Sequence, residues 1–183
     1  LDVHALSYRP HRRAAVRVRT GDATVYLKVV PPDAAHAIAD RHRRWRDHGI
    51  AVPTALGWSA EGLIALAPLA GSTAAEALPH LDDIESFVQR LDALRARIAT
   101  TPETRAARRS LAVRADWYRD RLTVRHPECA SRLQPLAARI AAAVAVPAQE
   151  LETIHGDFHL AQVFVQPGIA ELAVLDLDTG GIG

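Results

Sequence analysis

The residues most able to do chemistry cluster near the end of the chain. His155-Gly156-Asp157-Phe158-His159-Leu160-Ala161-Gln162 sets one carboxylate, and five residues later a side-chain amide, in a polar loop leading into a strand. Beyond a short hairpin, Val174-Leu175-Asp176-Leu177-Asp178 offers another carboxylate at a strand end. Phosphoryl transfer to an alcohol needs such a set: a carboxylate to orient the hydroxyl and accept its proton, and hard oxygen ligands to hold Mg²⁺ against a triphosphate. It also needs a cation for the phosphates, and Lys28, the only lysine in the chain, falls on an expected strand far upstream. A lone Asp in a loop is ordinarily a turn or cap residue. Asp157 gains weight from its company, with Gly156 before it and Gln162 and Asp176 after it. Asp178 is open between a second metal contact and a structural hydrogen-bonding group. His155, Asp157, His159 and Asp176 could alternatively ligate a transition metal in a phosphohydrolase, although no further Asn/His cluster follows downstream.

The elements that must position these groups are legible upstream. Ala14 to Thr20 and Ala23 to Val30 alternate as strands around a two-residue turn, Gly21-Asp22, with Gly at the first central position. Asp33 to Asp47 reads as a helix with Asp33 as N-cap, a solvated basic face of Arg41, Arg43, Arg44 and Arg46, and a stop before Gly49. Leu63 to Leu69 suits a short buried strand. Asp82 with Glu85 forms an N-terminal capping pattern for a helix whose inward positions are Ile84, Phe87, Leu91, Leu94 and Ile98. Two more amphipathic helices are expected. One runs from about Ser110 to Leu122, with Leu111, Tyr118 and Leu122 inward, and the other from Ser131 to Val146, with Leu133, Leu136, Ala137, Ile140 and Val144 inward. After Pro147, Thr153-Ile154 is extended, and Val163 to Gln166 and Leu172 to Leu177 form a hairpin through Pro167-Gly168.

At 183 residues and 49% apolar, the chain can bury a core as one domain or two small lobes. A formal charge of +1 gives no reason to expect a nucleic-acid partner. The single Cys129 excludes an intrachain disulfide framework and fits a reducing, cytoplasmic setting. The apolar run from Ala137 to Val146 is too short to span a membrane.

The His155–Gln162 loop resembles the H-G-D-x-x-x-x-N signature of the aminoglycoside phosphotransferase and choline kinase family, and Val174 to Gly183 resembles its I-D-x-[DE] metal motif. Tyr8 to Arg13, Val25 to Val30 and the Gly49-Ile50-Ala51-Val52-Pro53 turn are similar to segments of bacterial members. The order of lysine strand, helix, strand, helices, loop and metal aspartate is also that of protein kinases. This resemblance implies an α+β, two-lobed protein kinase-like fold, with a small N-lobe over residues 1–71 and a mainly helical C-lobe over 72–183. It makes Asp157 the catalytic aspartate and Gln162 and Asp176 the Mg²⁺ ligands. Lys28 would bind the phosphates of ATP or GTP, with the backbone near Ala65 to Ala67 on the adenine edge. Asp40 would be the nearest helix carboxylate to pair with Lys28, and Arg12 and Arg13 a solvated basic turn. His155 and His159 would shape the loop. Gln162 replaces the usual Asn, as in maltokinase-like H-G-D-x-H-L-x-Q loops. The acceptor would be a small-molecule alcohol, with no nucleic acid or membrane partner. A chain starting at Leu1 without Met reads as trimmed, with helices expected beyond a fraying glycine-rich end at Gly183. A degenerate nucleotide-binding homologue and an arginine-rich binding module without catalysis are the remaining readings.

Overall fold

A computed structural model of the chain describes residues 1–107, 112–144 and 151–183. Three strands open it: β1 (Asp2–Arg9), β2 (Arg13–Thr20) and β3 (Ala23–Val29). Helix α1 (Pro32–Asp47), strands β4 (Ala55–Trp58), β5 (Leu63–Leu66) and β6 (Ser72–Thr73), and helices α2 (Ala74–Ala77) and α3 (Ile84–Ala99) follow. Then come α4 (Ala115–Arg125), α5 (Ala130–Val144), β7 (Thr153–Ile154), β8 (Val163–Val165), β9 (Ala173–Val174) and β10 (Gly181–Ile182). The chain forms two compact units, Leu1–Pro102 with Phe158–Thr179, and Glu103–Asp157 with Gly180–Gly183. This partition does not follow a boundary at Gly71, because Ala74, Phe87, Leu94 and Ile98 share one core with Trp45, Val163 and Leu177.

The first unit is built on an antiparallel sheet of order β1-β2-β3-β5-β4. Its β2–β3 hairpin closes as alternation predicts, with Thr20 opposite Ala23 and Gly21 at φ +56. That positive φ is what a turn with Gly at its first central position demands. Lys28 sits inside this sheet, opposite Ala15 on β2 and Ile64 on β5. Helix α1 packs Ala35, Ile38 and Ala39 against Ile64, Leu66 and Val30. Its first residue is Pro32, preceded by Pro31, and no side chain caps it, so Asp33 lies in the first turn and is not the N-cap. Proline at N1 satisfies that end without a cap, since its missing N–H is one of the helix's orphans. For α3 the cap is Asp83, accepting from Ser86 N at 2.9 Å, and not Asp82. Phe87, Leu94 and Ile98 are buried as the periodicity predicts, but Ile84 at the helix start is exposed. A small three-stranded sheet, β6-β8-β9, joins Thr73 to Phe164 and Val163 to Val174 and carries the segment rich in candidate site residues.

The second unit holds α4, α5 and a two-stranded antiparallel ribbon of β7 and β10. Leu122 and Leu136, expected inward, are exposed, whereas Ala137 is buried. The expected helix start at Ser110 with Leu111, and the expected end at Val146 before Pro147, lie outside the described residues. The glycine-rich end, expected to fray, is paired as strand β10 with β7. Gly183 N donates to Glu152 O at 2.9 Å, and Ile182 N donates to Arg105 O at 2.8 Å.

Candidate functional site

The site in the first unit forms where two loops meet the sheet. Val163 and Val174 pair across the β8–β9 hairpin, Val174 N donates to Ala51 O at 2.9 Å, and Leu175 N donates to Gln162 O at 2.8 Å. These bonds set Gln162 beside the end of β9, and Asp176 follows at once. Asp176 has φ +56, a left-handed conformation rare for a residue with a Cβ, although Asp tolerates it better than most. A strained backbone of this kind is characteristic of functional turns. Leu177, next along, is fully buried in the core, so the turn is pinned by its middle residue.

Lys28 reaches this turn from the sheet. Its Nζ lies 2.5 Å from Asp176 Oδ1 and 2.5 Å from Asp178 Oδ1. Arg13 adds a second cation, 3.7 Å from each carboxylate. Burial pushes the Asp176 carboxyl up, but the Lys28 ammonium beside it and then Arg13 outweigh burial and hold it below the usual carboxylate range. Burial also pushes Asp178 up, and there, with Asp176 as a negative neighbour, it prevails.

Arg13 is therefore part of the cluster and not a solvated turn residue. Alternation along β2 was the available signal: Arg13 shares a face with Ala15, whose partner across the ladder is Lys28.

Helix α1 corrects two more expectations. Asp40 does not pair with Lys28. It is ion-paired within its own helix with Arg43, and His36 Nε2 lies 3.2 Å from its other carboxylate oxygen. Arg41 is not on a solvated face: it is 1% exposed, and its Nη1 donates to Leu177 O at 2.8 Å. Helical spacing was the missed signal, because Arg41 stands three residues after Ile38 and four before Trp45, both buried. His42 beside it is equally buried, and its Nδ1 donates to Pro53 O at 2.8 Å, while Nε2 has no partner. Burial, and then nearby Lys28 and Arg41 against the opposing Pro53 bond, lower its pKa from 6.5 to about 4. The imidazole is neutral at pH 7.

A cavity of about 300 Å³ opens against this cluster. Arg13, Lys28, Gln162 and Asp176 form its polar end, and Leu6, Tyr26, Leu66, Leu69 and Phe164 line the rest. An apolar chamber with a few convergent charges is the usual form of a small-molecule site, and this volume is at the lower end of such sites. Ala67 also lines it, but Ala67 N donates to Thr54 O at 2.9 Å, and Ala65 is enclosed between β3 and β4. Of the backbone groups expected on the adenine edge near Ala65 to Ala67, the Ala67 N–H is thus already paired. Pro68 has no N–H, so Leu69 carries the next donor along the cavity wall.

The oxygen atoms of Asp176, Asp178 and Gln162 are of the kind that hard divalent cations take, with water and phosphate oxygens completing the shell. Among the described residues, no three His, Cys, Asp or Glu side chains come together to hold a metal ion by themselves. The ligand cluster that a transition-metal phosphohydrolase needs is therefore not found among them. Asp157 belongs to the second unit, where it is half-buried in the loop after buried His155.

Similarity to known proteins bears on the family and the fold. Residues 11–183 match the phosphotransferase enzyme family, APH. No curated protein matches the chain in sequence. Among solved structures, a thermostable mutant of aminoglycoside phosphotransferase APH(4)-Ia in its apo form is similar over 100% of this chain and 69% of its own, with 16% identity and a TM-score of 0.63. Spectinomycin phosphotransferase APH(9)-Ia, in complex with ADP and spectinomycin, is similar over 98% of this chain and 64% of its own, with 10% identity and a TM-score of 0.65. A macrolide 2'-phosphotransferase type I is similar over 98% of this chain and 66% of its own, with 14% identity and a TM-score of 0.66. The chain thus spans about two thirds of the length of these structures. With its lysine strand, its aspartate turn and a family match over nearly its whole length, the chain belongs to the phosphotransferase enzyme family and has that family's α+β, protein kinase-like fold.

Proposed function

We propose that the protein to which this chain belongs transfers the γ-phosphate of ATP or GTP to an alcohol group of a small molecule. The observation that carries this reading is the approach of Lys28 to Asp176, which brings the one lysine of the chain to the best-placed carboxylate at the mouth of a ligand-sized cavity. Lys28 and Arg13 would neutralise the nucleotide phosphates. Asp176 and Gln162 would hold Mg²⁺, which when bound supplies charge neutralisation for the triphosphate. The apolar wall near Leu66 and Leu69 would receive the base. Asp157 would orient the acceptor hydroxyl and take its proton, a role that rests on its place in the His155–Gln162 loop.

The solved relatives that carry spectinomycin or hygromycin B support an acceptor of that general kind, an aminoglycoside, sugar or amino alcohol. A reducing, nucleotide-rich compartment such as the cytoplasm suits this work and the free Cys129. Among the described residues, no helix is long and apolar enough to cross a membrane.

A second reading, nucleotide binding without transfer, draws on one observation: α1 offers Lys28 no carboxylate. A screen of ATP and GTP consumption by the whole protein over aminoglycosides, maltose and other alcohols separates the two. Acceptor-dependent turnover supports transfer. Nucleotide binding with no turnover on any acceptor supports the second reading.

A further inference from the structure

In kinases of this architecture an ion pair between the strand lysine and a helix glutamate fixes the lysine. Helix α1 has carboxylates only at Asp33, Asp40 and Asp47; the first and last are exposed, and Asp40 is held by His36 and Arg43. The helix nevertheless reaches the site through Arg41, whose donation to Leu177 O falls at the residue between the two aspartates that hold Lys28.

We propose that Arg41 and Asp178 together replace the missing helix carboxylate, Arg41 tethering the aspartate turn to α1 and Asp178 holding the Lys28 ammonium in place. The consequence for catalysis rests on the phosphotransferase reading, but the relay itself is a property of the chain. Three features support it. A guanidinium that is 1% exposed must be satisfied by fixed acceptors, and a charged donor to a carbonyl is about twice as strong as a neutral one. The turn has little freedom left once the Leu177 side chain is in the core and its carbonyl is taken. Lastly, a carboxylate that ligates a cation has less charge to offer an ammonium, so Asp176 cannot serve Mg²⁺ and Lys28 equally. Asp178 lies as close to Lys28 as Asp176 does and is the less exposed of the two. It is the carboxylate that remains for the lysine. Arg41 and Asp178 are therefore positioning residues acting through Lys28.

Because Lys28 is the only lysine in the chain, its amine can be followed alone. The experiment measures the rate at which an amine-selective acylating reagent modifies Lys28, read on the peptide that contains it, at a temperature well below each variant's melting midpoint. Asp178→Asn and Arg41→Met are each expected to raise this rate by about 10-fold, the effect of losing one charge-assisted contact. The double variant should react no faster than the faster single variant, and Asp178→Glu should return the rate toward that of the parent. Arg41→Gln replaces Arg41→Met if the latter does not fold. An unchanged rate in Asp178→Asn, or increases that multiply in the double variant, would overturn the proposal. Failure of ATP with Mg²⁺ to protect Lys28 in the parent would count against the phosphotransferase reading instead, leaving the ligand-free rates to decide the relay.

Discussion

Lys28 Nζ and Asp176 Oδ1 stand 2.5 Å apart although 148 positions separate them in the chain. A lysine inside a sheet and a carboxylate on a left-handed turn do not meet by local preference. The β3–β5 ladder holds one, and the β8–β9 hairpin, bonded to Ala51 and Gln162, holds the other. The pair is the physical link between a motif at the start of the sequence and a motif at its end.

Replacing Asp157 by Asn should separate binding from chemistry. A group assigned to the acceptor hydroxyl acts mainly in the transition state, so nucleotide affinity should be preserved. Transfer should fall roughly 100- to 10,000-fold, the usual worth of a general base. Measuring kcat beside nucleotide Kd in the whole protein checks this. Lost affinity with transfer intact would exchange the roles of Asp157 and Asp176.

His42 predicts how stability depends on pH. Its folded pKa of about 4 lies below its ordinary 6.5, so between those values the unfolded chain binds a proton that the folded chain refuses. Stability is therefore full above about pH 6.5 and falls as pH drops toward 4, by at most about 3 kcal/mol from this group. Asn at position 42 can keep a donor toward Pro53 O but cannot titrate. Denaturant unfolding at pH 7 and pH 4.5 should show a smaller loss in His42→Asn than in the parent. Equal losses would mean that His42 is not held neutral.

Gly71→Ala should destabilise the first unit. Gly71 has φ +96, and an added Cβ would lie 2.0 Å from Val165 O, just where Ser72 begins its pairing with Val165. The left-handed conformation alone costs an ordinary residue about 1–2 kcal/mol, and the clash adds to it. Urea unfolding of the variant gives the number. Parent-like stability would show that the β6–β8 crossing relaxes freely.

The β2–β3 hairpin and the three long helices were legible because their apolar residues repeat at 2.0 or 3.6 positions. Strand β1 was not, because it is exposed along its whole length and no buried face imprints an alternation on it. Strands β6 and β10 have only two residues each, and Gly181-Ile182 reads as a flexible tail until its pairing with Thr153-Ile154 is seen. Lys28, Gln162 and Asp176 were legible as a pattern of residue types in order. Arg41 was misread because its charge outweighed its position: chemistry put it with Arg43 and Arg44, while spacing put it with Ile38 and Trp45. At position 41 a cation on an apolar helix face marked the site, and the rule that charges face water concealed it. Arg13 was misread for another reason: its strand face also carries Arg17 and Arg19, and only the register that sets Ala15 opposite Lys28 distinguishes it.

The most direct test of the account is calorimetric titration of the protein with ATP and with GTP, with Mg²⁺ and then with a chelator. The same titrations are run on Lys28→Ala and Asp176→Ala. Binding to the parent should require Mg²⁺ for at least one of the two nucleotides. Each variant should bind more weakly by roughly 10-fold or more, as expected when one charged contact of about 1.5–3 kcal/mol is removed. Titration curves in both variants that match the parent's, or binding indifferent to the chelator, would contradict the assignment of this cluster as a nucleotide-phosphate site.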